Sequence, residues 1–169
     1  MRNIFVDGYN VINSWPELNK IKEYSFEAAR KKLIEVLQNY AAYKGYKVFV
    51  VFDAHMVKGS IEKKEKDNNI IVVFTKEGET ADSFIEKYVN KIGRKSEVCV
   101  VTSDSLEQQV IFQRGATRMS TLEFYNEVHK MQQSIKAKMD KKISSNRTFL
   151  EDILEDNILD KLEKIRKSH

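Results

Sequence analysis

Three short apolar runs that each stop at an aspartate set the terms for what this chain can fold into. Ile4-Phe5-Val6 runs into Asp7-Gly8-Tyr9-Asn10, Val48-Phe49-Val50-Val51-Phe52 into Asp53, and Val98-Cys99-Val100-Val101-Thr102 into Ser103-Asp104. A fourth run, Ile70-Ile71-Val72-Val73-Phe74, gives way to Thr75-Lys76-Glu77-Gly78-Glu79-Thr80-Ala81-Asp82. Continuous runs of this length, rich in β-branched and aromatic residues, are the pattern of strands covered on both faces, as in parallel sheets. Ligands of open α/β sheets bind at the carboxyl ends of the strands, so these acids fall where chemistry is done. Each also has a plainer structural reading. An Asp after a strand commonly caps the next helix, and Glu79 and Asp82, at the start of a helix, complement its dipole.

Helical periods separate the runs. Val11 to Tyr24, containing Trp15-Pro16, shows no clean period and reads as a short helix or loop. Ser25 caps a helix whose apolar face is Phe26, Ala29, Leu33, Val36, Leu37 and Tyr40, closed by Lys44-Gly45. A second helix buries Phe84, Ile85, Tyr88, Val89 and Ile92. Ser105 to Gln108 has the form of a capping box, which leaves Asp104 free for other work, and that helix ends at Gln113-Arg114-Gly115. Thr117-Arg118-Met119 is a candidate fifth strand. From Ser120, with Glu123 three positions on, a long helix runs through Val128, Met131, Ile135 and Met139. Ser144-Ser145-Asn146-Arg147 reads as a hinge before a terminal amphipathic helix. The expected fold is α/β: a central parallel sheet flanked by helices over residues 1–125, with a charged helical extension over 126–169 packed on or beside it. A length of 169 residues suits one such domain with an extension.

Charge and cysteine content narrow the partners. The formal charge of +4 permits a polyanionic partner without requiring one. Residues 54–69 carry His55, Lys58, Lys63, Lys64 and Lys66, which suit either a solvated loop or phosphate contacts beside Asp53. His55 has the chemistry of a metal ligand or proton shuttle, although a lone loop histidine often does neither. Lys130, Lys136, Lys138, Lys141 and Lys142 stand against one acid, Asp140, as a solvated face or as a track for an RNA backbone. The single Cys99 excludes an internal disulfide and a cysteine-based zinc site, so a cytoplasmic protein is expected. No apolar run approaches the roughly 20 residues that cross a bilayer, and no membrane partner is expected.

The acids take on a joint meaning if the sheet is parallel. Asp7, Asp53 and Asp104 then meet on one rim, with Asp82 opening a helix from the same edge. Carboxylates crowded together raise one another's pKa and destabilise the fold unless cations neutralise them. Oxygen ligands without cysteine select Mg²⁺ or Mn²⁺ over zinc. Such ions activate water and stabilise a leaving oxygen, which points to phosphodiester hydrolysis. Asn10 is placed to position a scissile phosphate or a bound water through its amide, and Ser103 to contribute a hydroxyl.

The ordered strings Val6-Asp7-Gly8-Tyr9-Asn10-Val11-Ile12 with Trp15-Pro16, Val51-Phe52-Asp53-Ala54-His55 with Val57-Lys58-Gly59, Phe74-Thr75-Lys76-Glu77 with Glu79-Thr80-Ala81-Asp82, and Thr102-Ser103-Asp104 resemble the NYN-domain nucleases, in their YacP-like branch of bacterial endoribonucleases. The resemblance covers about residues 1 to 125 well and loosens over the C-terminal helices. It implies a PIN-like fold and RNA cleavage dependent on Mg²⁺ or Mn²⁺. The catalytic cluster would be Asp7, Asp53, Asp82 and Asp104 with Asn10, of which Asp7, Asp82 and Asp104 would hold metal, supported by Glu79 and Ser103. His55, Lys58, Arg114, Lys136, Lys138, Lys141 and Lys142 are the candidate RNA contacts. The branch is associated with cleavage of mRNA at the aminoacyl-tRNA site of the ribosome, which makes mRNA and the ribosome the expected partners. Two other classes stay open: a non-catalytic RNA- or ribosome-binding adaptor, and an aspartate-based phosphohydrolase, against which Tyr9 stands where a second acid is required.

Overall fold

In the computed structural model, which describes residues 2–53, 63–67, 69–103 and 115–167, strand β1 (Asn3–Asp7) lies inside a mixed sheet. Helices α1 (Gly8–Ser14), α2 (Pro16–Tyr24) and α3 (Phe26–Lys44) follow it. Strands β2 (Lys47–Phe52), β3 (Lys63–Asp67) and β4 (Ile70–Phe74) come next, then helix α4 (Ala81–Ile92). Strands β5 (Val98–Val101) and β6 (Thr117–Met119) precede helix α5 (Thr121–Lys167). The strand order is β3-β4-β2-β1-β5-β6, parallel throughout except for the β3–β4 pair. The chain moves from β1 outward to β2 and β4, then returns to place β5 on the other side of β1. The crevice between β1 and β5 is therefore the point where the winding reverses, the usual ligand-binding place in such sheets.

The period of two along each strand sorts side chains onto two faces. Phe5, Phe49, Val51, Val73, Val98 and Val100 join Phe84, Ile85 and Val89 of α4 in one cluster. Phe5 and Phe49 stack at 4.5 Å between ring centroids, as do Phe84 and Tyr88 at 4.7 Å. Asp7 has the parity of Phe5, and Asp53 that of Val51, so both acids leave the sheet on the side covered by α4.

The caps follow the sequence reading at α3, where Ser25 Oγ accepts from the Ala28 N–H and Gly45 adopts φ +69 as the left-handed stop. The Ser120 hydroxyl likewise accepts from the Glu123 N–H at the start of α5. Three expectations change. Val11 to Tyr24, read as a short helix or a loop, falls in two short helices joined at Trp15, because α1 starts at Gly8 and Pro16 occupies the first turn of α2, where its missing N–H is harmless. Part of the presumed loop 54–69 is β3, an antiparallel edge strand whose sequence KKEKD hides it from an apolar-run search; charged edges deter further pairing. The hinge at Ser144 to Arg147 is absent, since α5 continues through it. No Gly or Pro interrupts that stretch, and Ser and Asn lower helix propensity only modestly. The expected helix between Ser105 and Arg114 lies outside the described residues.

The described chain divides into two compact units, Met1–Val128 and His129–His169. Within the first, the opening turns of α5 are tied down by specific bonds. The Trp15 indole donates to the Thr121 carbonyl at 3.0 Å, and the Tyr40 hydroxyl donates to Glu127 at 2.6 Å. Phe124 packs edge-on to Tyr40 at 5.2 Å. The second unit is the remainder of α5. Among the described residues no helix is long and apolar enough to cross a membrane.

Candidate active site at the carboxyl end of strand β1

Asp7 is both the last residue of β1 and the N-cap of α1. Its Oδ1 accepts from the Asn10 backbone N–H at 3.3 Å, and its Oδ2 from the Asn10 side-chain amide at 2.9 Å. The capping reading of Asp7 is thus realised, and the carboxylate is held in one orientation by it. Gly8 has to be glycine because a Cβ there would run into the Phe52 ring. The close approach lets the chain turn from strand to helix directly above β2.

Asn10 reaches across the β1–β5 crevice. Its Oδ1 accepts from the Ser103 hydroxyl at 2.6 Å, and its Nδ2 stands 3.5 Å from Thr102 Oγ1. Both ends of the amide are bonded to protein, so Asn10 holds Asp7 in place; the sequence reading had aimed that amide at a phosphate or a bound water, and the hydroxyl expected of Ser103 goes to Asn10. Thr102, fully buried at the end of β5, was missed as a member of this network. Its position directly before Ser103-Asp104 was the available signal.

Helix α4 brings the second carboxylate. Thr80 is its N-cap, accepting from the Ser83 N–H at 3.1 Å, and Asp82 lies in its first turn. The Asp82 carboxyl is close enough to Asp7 to share a hydrogen bond with it. Asp7 is only 7 % exposed, and its pKa is pushed up to about 6. Burial is the main cause; the bonds from Asn10 work the other way, and the charge and hydrogen bond of Asp82 add to the rise. Asp53 follows β2, and its Oδ2 accepts from the Ala81 N–H at 3.3 Å, which binds it to the N-terminus of α4. Glu79, immediately before the cap, has Oε1 shut away from solvent with no partner among the described residues.

The described residues therefore assemble a carboxylate pair, Asp7 and Asp82, with Asp53 tied to the same helix start. They contain no group of three acids, histidines or cysteines arranged around a common point. The third expected ligand, Asp104, lies outside the described residues, as do His55, Lys58 and Arg114. Lys136, Lys138, Lys141 and Lys142 are exposed along α5 in the second unit. The two donors that are brought together, Asp7 and Asp82, offer only oxygen, as a hard divalent cation requires.

Comparison with known proteins supports one family. Residues 4–167 match the model of the YacP-like NYN domain. The chain is 42 % identical over 165 residues to the protein YacP of Bacillus subtilis (strain 168), spanning 97 % of this chain and 96 % of that one. Among solved structures, the crystal structure of Rae1 (YacP) from Bacillus subtilis aligns with a TM-score of 0.74 at 42 % identity, covering 99 % of this chain and 95 % of that one. A single-substitution variant of the same protein aligns with a TM-score of 0.74 at 40 % identity and covers 85 % of both chains.

Proposed function

This chain belongs to the YacP-like NYN-domain family, with its PIN-like fold and nuclease-type function, and on that premise we propose that it is a divalent-metal-dependent endoribonuclease that cuts mRNA during translation. The observation that carries the reading is the Asp7–Asp82 pair at the reversal point of the sheet, in which Asp7 is buried and held by Asn10 and Ser103 and Asp82 approaches it from the half-buried first turn of α4. A protein that only bound RNA would have no use for two carboxyl groups brought together at the sheet edge where ligands bind. With both groups ionised such a pair is destabilising, and either a shared proton or a bound cation relieves it; at neutral pH the cation is the one that supports phosphodiester cleavage.

Asp7 and Asp82 would hold Mg²⁺ or Mn²⁺, together with Asp104. The ion supplies a water of lowered pKa and charge stabilisation for the scissile phosphate. The protein's own contribution is orientation. The bidentate grip of Asn10 fixes both oxygens of Asp7, Ser103 fixes Asn10, and Asp53 and Thr80 fix the start of α4 so that Asp82 faces Asp7. Pre-orientation of this kind is what a displacement at phosphorus needs, because little covalent chemistry is left to the protein. Within this reading His55, Lys58 and Arg114 contact RNA phosphates, and Asp104 completes the cation site. The partners are mRNA and the ribosome, with the aminoacyl-tRNA site as the place of entry and the cytoplasm as the compartment.

The test uses a translated and an untranslated copy of one mRNA, each with and without chelator. We expect wild-type protein to cut the translated copy only when Mg²⁺ or Mn²⁺ is present, and Asp7→Asn to cut neither while keeping its circular dichroism spectrum. Equal cleavage of both copies would remove the dependence on translation. Cleavage that survives in Asp7→Asn would remove Asp7 from the reaction.

A further inference from the structure

Helix α5 in the second unit exposes more apolar surface than a lone helix in water should. Ten large apolar side chains between Met139 and Ile165 are 41 to 66 % exposed. Exposed apolar area of that extent on one element marks an interaction surface.

Two patterns in the helix say what covers it. The first is symmetry. Apolar residues stand at equal distances on either side of the point between Asn146 and Arg147: Ile143 with Leu150, Met139 with Leu154, and Ile135 with Ile158. Reversing the helix end for end therefore lays these six apolar positions against one another, with one polar layer at the centre. A single polar core layer is a known device for fixing register. The spacing uses more steps of four than of three, so the stripe has a period above that of the helix and winds right-handed. Only a partner with the same drift follows it along its length.

The second pattern is charge. Residues 130–147 carry six cations and one acid, a net of +5, whereas residues 151–163 carry six acids and one cation, a net of −5. A parallel pair would set like blocks side by side. An antiparallel pair sets each basic block against an acidic one. Glu151 already meets Arg147 along its own helix at 3.3 Å, which links the blocks locally without covering the apolar stripe. Because α5 is continuous through Ser144 to Thr148, its acidic half does not fold back on its own basic half, and the matching block has to come from another chain.

We propose that the exposed face of α5 docks on a second copy of this chain, the two helices running antiparallel about a two-fold axis between Asn146 and Arg147. The lysines of the basic block then face acidic residues of the other copy, and their charge acts in assembly. This surface is separate from the Asp7 site, and the proposal does not depend on the nuclease reading.

The test is made on the full chain by sedimentation equilibrium and oxidative cross-linking; the one native cysteine, Cys99, is buried. Wild-type protein should sediment as a dimer. Asn146→Cys, placed at the axis, should cross-link to its own copy. Met139→Cys and Leu154→Cys should each fail alone and cross-link when mixed. Reversing charge in one block (Lys138→Glu, Lys141→Glu, Lys142→Glu) or in the other (Glu151→Lys, Asp152→Lys, Glu155→Lys) should weaken dimerisation by roughly tenfold or more, and mixing the two variants should restore it. A monomer at about 100 µM would overturn the proposal. So would a Met139→Cys, Leu154→Cys double variant that closes within one chain, or Met139→Cys that cross-links to itself. A monomer whose block reversal lowers RNA affinity would assign the lysines to RNA instead.

Discussion

Among the described carboxyl groups Asp7 is the one whose ionisation burial opposes, and the sign of that effect is testable. Its folded pKa of about 6 lies above the ordinary 3.8, so ionising it opposes folding. The stability associated with its protonated form is fully present below about pH 3.8 and is lost as the pH rises through about 6. A shift of this size corresponds to about 2–3 kcal/mol by the usual 1.36 kcal/mol per pKa unit. In chelator, Asp7→Asn should therefore melt higher than wild type at pH 7, with the gap closing as the pH falls to about 4; thermal melts across that range give the answer. A constant gap would mean that burial of the charge is not the cause. Gly8→Ala should behave in the opposite way. Its methyl group meets the Phe52 ring, and relieving that overlap should cost about 1–3 kcal/mol in urea unfolding and displace Asp7 with it. At this scale the sequence showed which acids lie at strand ends. It placed Asp82 on the same rim as Asp7, but it did not show that Asp53 would be tied to the start of α4, because that depends on how α4 packs. Nor did it show that the Asn10 amide is bonded at both ends, because its partner Ser103 lies on β5, far away in the chain.

Helix α4 is the element that sets the site, since its first turn carries Asp82 and its N-terminus receives Asp53. Thr80 is the cap that holds this end. Thr80→Ala should lower stability by about 1 kcal/mol and reduce cleavage by more than that loss explains, because Asp82 loses its fixed bearing on Asp7. Activity that tracks stability alone would make the cap merely structural. The elements differ in how far their sequences disclose them. Strands β1, β2, β4 and β5 are buried and apolar on both faces, and α3 carries its cap and its glycine stop, so local pattern suffices. Strand β3 is charged and exists only because β4 offers it an edge. Helix α1 begins with glycine at a point where the backbone has to pass close to Phe52. The continuity of α5 through Ser144 to Arg147 rests on the absence of any strong helix breaker, a weaker signal than the presence of a cap.

The whole molecule turns on one topological fact, the return of β5 to the far side of β1. That move brings Ser103 over to Asn10, while α4, bound at its N-terminus by Asp53, brings Asp82 to Asp7 from the other side. A nuclease-type function follows from the family, and in the proposed reading the carboxylates Asp7 and Asp82 give it a specific chemical form by holding a cation between them. The most direct test is calorimetric titration of Mn²⁺ into chelator-stripped protein, with the melting temperature followed in parallel. Wild-type protein should bind the ion and melt higher with it, and Asp7→Asn and Asp82→Asn should each lose at least about tenfold in affinity along with most of the thermal gain. Mn²⁺ binding of equal strength in all three proteins, or none in the wild type, would contradict the account.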